Sequence, residues 1–228
     1  MAYRDKYQLE SLRIRAHLRT PVIADEQMPL DGILLYQAHR DLGGPQVATI
    51  PGDYSCRGVS TLPLDIVYPG RRNWYYRCSW ASWSHDVEGR DYWNKRFDTS
   101  YASLVDFGNR RGKVIIEQGK YKAYHMPVFY RAALWVEWYC VGDKVEIEYL
   151  LSTVTHVGKK GAQGWGRVIR WEIKPCAEDW SVMRDGRLMR GVPIDDAQVL
   201  GVQFERAHYG IRPSYWKADN QMWLAVSG

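Results

Sequence analysis

Features that mark membrane, secreted and disulfide-bonded proteins are missing from this sequence. No apolar run approaches the ~20 residues that a membrane-spanning helix needs. Residues 1–19 contain no apolar stretch like the core of a secretory signal. The four cysteines are far apart and form no C-x-x-C pair, which argues against a zinc knuckle and a disulfide framework. We therefore expect a cytoplasmic protein with free thiols and no membrane partner.

Motifs of nucleotide hydrolysis and metal catalysis are also absent. No glycine-lysine pair is followed by serine or threonine as in a Walker loop, and neither H-E-x-x-H nor a cluster of aspartates occurs. The histidines at 85 and 125 lie in segments with little periodicity. These absences favour a binding protein over an enzyme, with no metal and no cofactor.

The aromatic composition is unusual, because 11 Trp and 16 Tyr accompany only 4 Phe. Trp and Tyr carry a polar edge, which suits wet interfaces and base stacking as well as protein cores. The hydrophobic fraction of 46% and charged fraction of 25% lie in the globular range. A net charge of +5 is only mildly basic and by itself does not identify a partner.

The first 45 residues predict a β-α unit. From Leu12 to Arg19 apolar and polar residues alternate, which predicts a half-buried strand whose outer side carries Arg13 and Arg15. The cationic side has a plainer interpretation as a solvated sheet surface. Residues 30–41 then have helical spacing, and Gly43-Gly44 end the helix.

A second β-α unit begins with an apolar strand over residues 134–141. Asp143 and Glu146 resemble a capping box, and apolar spacing predicts a helix over residues 143–157 that stops at Gly158. A strand is the competing interpretation of the alternating residues from Val145 to Leu151, but it explains neither the cap pair nor the later valines. A strand over residues 168–173 follows.

This order of elements predicts an α+β, ferredoxin-like (RRM-like) β-α-β-β-α-β fold in a single domain over residues 1–228. Residues 68–113 have little periodicity and form a predicted insertion that is rich in aromatic and basic residues. Some of its rings are expected to fill a small core. Its interleaved arginines and rings can also offer charge to phosphates and flat surfaces to bases, or contact other subunits. Candidates for such contacts are Arg71, Arg72, Trp74, Arg77, Arg110 and Arg111.

A glycine-rich, cationic segment lies between the second helix and the last strand of this unit. Glycines at 158, 161, 164 and 166 allow positive φ and close approach of the backbone to a ligand, and three cations add charge. A mobile surface turn would also explain such a composition. Gln163 and Trp165 between the glycines favour hydrogen bonding and stacking with a polynucleotide.

The residues of this loop resemble the signature loop of the RAMP superfamily of CRISPR proteins. The resemblance rests on residues 156–168, together with 30–36, 190–193 and 212–216. Within the superfamily the chain is similar to the Cas-five-like subunit of type IV effector complexes, which caps the 5′ handle of the guide RNA. The resemblance covers most of the chain but not residues 68–113.

This resemblance implies a RAMP domain in a ribonucleoprotein whose partners are crRNA, a large subunit, backbone subunits and target DNA near the PAM. In such complexes the guide reads the target by base pairing, while protein reads backbone shape and the PAM. The implied RNA-binding residues are Gly158, Lys159, Lys160, Gly161, Gln163, Gly164, Trp165, Gly166 and Arg167. Arg13 and Arg15 are further candidates for RNA contact.

Two other functions remain open from the sequence. Some RAMP relatives are metal-independent endoribonucleases that process precursor crRNA, and His39 with Tyr36 one turn earlier could supply acid and base groups. A surface or capping role is the more ordinary explanation of one such histidine. The other possibility is an independent RNA-binding protein.

Overall fold

The computed structural model describes residues 7–25, 27–43, 62–68, 72–84, 87–108 and 112–228. It shows a mixed α+β protein built from several antiparallel sheets, which confirms the predicted α+β class. None of the helices in these ranges is both long and apolar enough to span a membrane. The elements in chain order are β1 (Leu9–Leu18), α1 (Leu30–Gly43), β2 (Ile66–Val67), β3 (Tyr75–Tyr76), β4 (Ser82–Trp83), β5 (Val87–Lys95), β6 (Tyr124–Ala132), β7 (Trp135–Asp143), α2 (Lys144–Ser152), β8 (Val168–Pro175), β9 (Met183–Arg184), β10 (Arg187–Leu188), β11 (Val192–Pro193), α3 (Ile194–Leu200), β12 (Glu205–Gly210) and β13 (Gln221–Val226).

The central sheet has the strand order β4-β7-β1-β8, and every neighbouring pair is antiparallel. The predicted alternation in β1 is confirmed, because Leu12, Ile14, Ala16 and Leu18 are all buried. They form one core with apolar residues of β7, α1 and α2. The opposite side of β1, here called the open face, carries Arg13, Arg15 and His17.

Helix α2 begins as predicted but is shorter. The Asp143 carboxylate accepts a hydrogen bond from the main-chain N–H of Glu146, so the predicted cap is confirmed. The predicted extension to residue 157 is wrong, since α2 ends at Ser152. Val157 instead donates its main-chain N–H to Gly166 in an extended segment that leads into the glycine-rich loop. Its apolar side chain is buried in the core without being helical.

A C-terminal module packs beside the central sheet. Its three-stranded sheet has the order β11-β13-β12 and encloses, with α3, a second apolar cluster. Arg190 joins the two cores: its guanidinium is buried and donates to the carbonyls of Tyr76, Cys78 and Ile211. Burial raises the pKa of Asp31, a core carboxyl, and the nearby Arg190 cation opposes that rise.

Strands β5 and β6 pair along their whole length as a two-stranded antiparallel ribbon. Its base is held against the central body, where the main-chain groups of Val22 and Arg131 exchange two hydrogen bonds of 2.9 and 2.8 Å. Ser84, just before the ribbon, accepts hydrogen bonds from the main chain of Leu134 and Trp135. The ribbon therefore projects from a fixed base beside the end of β1.

Candidate nucleic-acid interface

The glycine-rich loop, residues 158–167, lies against the segment that connects β1 to α1. The main-chain N–H of Lys159 donates to Ile23 O at 2.6 Å, and that of Gly166 donates to Pro21 O at 2.7 Å. Thr20 Oγ1 donates to Gly164 O and accepts from the main-chain N–H of Arg167. These bonds attach both ends of the loop to the segment that follows β1.

Positive φ angles make the glycines necessary at two of these attachments. Gly158 has φ +80° and Gly166 has φ +67°, a region that favours glycine. A Cβ atom on Gly166 would lie 1.9 Å from Val157 O, and one on Gly158 would lie 2.6 Å from Ile23 O. Gly164 also has positive φ, +91°, but a Cβ atom there would meet nothing within 4 Å.

The main-chain N–H groups of the loop divide into two sets. Those of Lys159, Gln163, Gly164, Gly166 and Arg167 already donate to acceptors in the protein. In the part of the chain that the structure describes, the remaining set has no protein acceptor and is available to a ligand. This set consists of Gly158, Lys160, Gly161, Ala162 and Trp165. Two of the four glycines, Gly164 and Gly166, therefore use their amides inside the protein, and the other two find no acceptor among the described residues.

Three cations surround these amides. The Lys159 ammonium is exposed and pairs with the Asp25 carboxylate at 2.9 Å. The Lys160 ammonium lies 4.5 Å from the centre of the Trp93 ring, a cation–π distance. Arg167 and Gln163 are exposed. Since an exposed ion pair contributes little free energy, Lys159 can exchange Asp25 for a phosphate at low cost.

Aromatic rings continue this cationic surface toward the ribbon. The Trp165 ring lies 5.2 Å from the Tyr130 ring of β6. Trp93 belongs to the aromatic and basic segment 68–113 that the sequence predicts, whereas Tyr130 lies outside that segment. The run of β-branched and aromatic residues at 128–130 is typical of a strand, and this composition is the signal that could have found Tyr130.

A groove of about 600 Å³ separates α1 from the glycine-rich loop. Tyr36, Arg40 and His156 line it together with the loop residues Gly161 and Ala162. The sequence suggests His39 and Tyr36 as a pair of acid and base groups. Tyr36 lines this groove, but His39 does not. His156 follows α2 rather than lying in α1, so spacing within one helix could not identify it.

The open face of the sheet holds Arg13 and Arg15 in ion pairs. Arg13 lies 2.9 Å from the Glu172 carboxylate, and Arg15 lies 2.7 Å from that of Glu137. The Lys174 ammonium and then the Arg13 guanidinium hold the pKa of Glu172 below its ordinary value. Part of the cationic charge predicted for this face is therefore neutralised, and the structure does not join these arginines to the loop.

The described candidates from residues 68–113 lie mostly in contacts within the protein. Arg77 forms ion pairs with Asp65 and Asp179. The Trp74 ring meets the edge of Tyr76 at 5.2 Å. Arg212 lies over Trp74 and donates to the main-chain carbonyl of Arg72. The candidates Arg71, Arg110 and Arg111 lie outside the described residues.

Within the described ranges, no group of three or more His, Cys, Asp or Glu residues is arranged to hold a metal ion.

The family model described as CRISPR type IV associated protein Csf3 matches residues 70–227 of the chain, well over half its length. A search of curated proteins found no match to the chain.

Proposed function

Because the chain belongs to the family of CRISPR type IV associated protein Csf3, a Cas5-like subunit of the type IV complex, we propose that it is a non-catalytic subunit that binds crRNA. Its glycine-rich loop binds the 5′ handle of that RNA. One observation carries the proposal: internal hydrogen bonds attach the loop at both ends, while other loop amides have no acceptor among the described residues and Lys159 and Arg167 are exposed beside them.

The chemistry of the loop matches a sugar-phosphate backbone. Free main-chain N–H groups at Gly161 and Ala162 can donate to phosphate oxygens, and Lys159, Lys160 and Arg167 supply charge. Backbone contacts of this kind hold RNA in a fixed register, and exposed aromatic rings stack on unpaired bases. Arg13 and Arg15 are proposed as secondary contacts, because each must share its charge with a carboxylate.

The strand order supports a ferredoxin-like RAMP domain as the scaffold. Along the chain, β1, α1, β4, β7, α2 and β8 follow the β-α-β-β-α-β pattern. In the sheet these four strands have the order β4-β7-β1-β8, so the first strand of the pattern lies between the third and the fourth. In this arrangement the loop before β8 lies at one end of the sheet, beside the connection that leaves β1.

The proposed partners follow from membership of the type IV complex. We propose that the subunit contacts the large subunit and the backbone subunits, near the PAM-proximal end of the target DNA. Base pairing by the guide then reads the target sequence, while this protein holds the guide by its backbone. The arginines of the segment 68–113 are proposed contacts for a subunit or for DNA.

A charge-reversal experiment tests the loop. Lys159→Glu with Lys160→Glu should weaken binding of a labelled guide RNA and lower the slope of log affinity against log salt by about 0.7 per lost phosphate contact. Arg187→Glu with Arg206→Glu changes the net charge equally at exposed positions of the C-terminal module and serves as control. An unchanged affinity and salt slope in the loop variant would show that the loop does not contact the RNA backbone.

Endoribonuclease activity is the second candidate function, and the groove beside the loop is the observation that favours it. Tyr36, Arg40 and His156 could exchange protons with, or stabilise, a cleaved phosphodiester without a metal. Incubating the purified chain with repeat RNA in EDTA tests this. Specific cleavage that disappears in His156→Ala or His39→Ala would replace the non-catalytic proposal.

A third function, that of an independent RNA-binding protein, is tested by co-purification. A subunit of the complex, catalytic or not, should co-purify with guide RNA and partner proteins, whereas an independent RNA-binding protein should not.

A further inference from the structure

The ribbon of β5 and β6 has two chemically different faces. Residues directly opposite each other in an antiparallel pair lie on the same face, and successive residues alternate between faces. The register pairs Trp93 with Met126 and Lys95 with Tyr124. These four residues and Tyr130 define the inner face. The outer face carries the alternate pairs, which are Glu88 with Arg131, Arg90 with Phe129, Tyr92 with Pro127 and Asn94 with His125.

The inner face is continuous with the glycine-rich loop. Tyr130 contacts the Trp165 ring of the loop, and Trp93, further along the ribbon, lies beneath the Lys160 ammonium. Two separate contacts therefore fix which side of the ribbon faces the loop. From Tyr130 to Tyr124 this face extends the surface by about 20 Å, at ~3.4 Å per residue.

Rings and cations alternate along the exposed end of the inner face. Met126 is 48% exposed and Tyr124 is 37% exposed. The ammonium groups of Lys95 and Lys122 lie 5.8 and 5.7 Å from the centre of the Tyr124 ring. Asp91 carries the negative charge on this face. A ring that is accessible to solvent and bordered by cations can stack on a base while the neighbouring phosphate is neutralised.

We propose that the inner face of the ribbon binds the stretch of single-stranded RNA that adjoins the segment held by the loop. Bases stack on Trp93 and Tyr124, and Lys95 and Lys122 lie near phosphates. This inference rests on the proposed function of the loop. Unpaired bases fit because rings on a narrow ribbon can reach only bases whose faces are exposed. On the outer face, where Phe129 is 67% exposed, the Arg131 guanidinium pairs with the Glu88 carboxylate at 3.0 Å and the Tyr92 ring is already covered on one side by His125.

The test compares two double variants of the full chain that remove one ring and one cation from the same two strands. Tyr124→Ala with Lys95→Ala removes inner-face groups, and Phe129→Ala with Arg90→Ala removes outer-face groups. The probe is a labelled single-stranded guide RNA that includes nucleotides beyond the handle. We expect the inner variant to lose about 5- to 100-fold in affinity and the outer variant to bind like the parent. Tyr124→Phe, which keeps the ring, should also bind like the parent.

Comparison with the loop variant separates this inference from the proposed function. If Lys159→Glu with Lys160→Glu weakens RNA binding while the inner variant does not, the inference about the ribbon is wrong and the function of the loop stands. If neither weakens binding, both are wrong. Equal losses in the inner and outer variants would also overturn the inference. So would an inner variant that binds RNA normally but no longer assembles with the backbone subunits, because the face would then bind protein.

Discussion

Gly166→Ala and Gly164→Ala should differ in stability although both residues have positive φ. At either position an alanine in the left-handed region costs ~1–2 kcal/mol, partly offset by ~0.4–1 kcal/mol from a less flexible unfolded chain. Gly164→Ala should therefore destabilise by about 1 kcal/mol. At Gly166 the new Cβ also meets Val157 O at 1.9 Å, so the backbone must move.

That movement breaks two main-chain hydrogen bonds. Gly166 donates to Pro21 O and accepts from the main-chain N–H of Val157, and each bond contributes ~0.5–1.5 kcal/mol. Gly166→Ala should therefore lose about 3 kcal/mol in total. In a chain of this size the difference between the variants corresponds to a Tm gap of about 4–8 °C.

Chemical and thermal denaturation of the two variants beside the parent measure this gap. RNA affinity should follow the same order, because Gly166→Ala displaces the loop from the segment after β1 and Gly164→Ala does not. Equal stabilities of the two variants would refute the attachment of the loop through Gly166. A Gly166→Ala variant as stable as the parent would refute it most directly, since residue 166 would then not lie close to the Val157 carbonyl.

Two further perturbations test the scaffold. Asp143→Ala removes the cap of α2 and should cost about 0.5–2 kcal/mol of unfolding free energy in urea denaturation, whereas Asp143→Asn should cost less. Arg190→Met removes a buried cation near Asp31 together with the hydrogen bonds of Arg190 to three main-chain carbonyls, and it should cost about 3–5 kcal/mol at neutral pH. Burial raises the pKa of Asp31 in the folded protein above its ordinary value of 3.8. Protonation of Asp31 therefore stabilises the fold fully below pH 3.8, and this stabilisation is lost as pH rises through the pKa of the folded state. The deficit of Arg190→Met should therefore shrink as pH falls, and a deficit that is independent of pH would contradict an electrostatic interaction between Arg190 and Asp31.

Local patterns in the sequence predict much of the scaffold. Alternation in β1, helical spacing in α1 and the Asp143 cap all depend on neighbours within one element, so the sequence contains the information directly. The end of α2 is different. The valines at 154 and 157 keep helical spacing, yet tertiary contacts override it: the Val154 carbonyl accepts from Trp171 Nε1, and Val157 pairs with Gly166.

The candidate site could be predicted only in part for the same reason. The glycine-rich loop is recognisable as a contiguous run, but the partners that fix it lie more than 130 positions earlier, at Pro21 and Ile23. Likewise Arg77 is one cation among many in the sequence, and only the fold pairs it with Asp65 and Asp179. Spacing along the chain contains no information about such distant carboxylates.

The internal hydrogen bonds of the glycine-rich loop have a thermodynamic consequence for any ligand. A loop that is already ordered loses little conformational entropy when it binds, so more of the contact energy appears as affinity. Encounter rates then depend mainly on electrostatic attraction, whereas changes to individual contacts alter chiefly how long the complex persists.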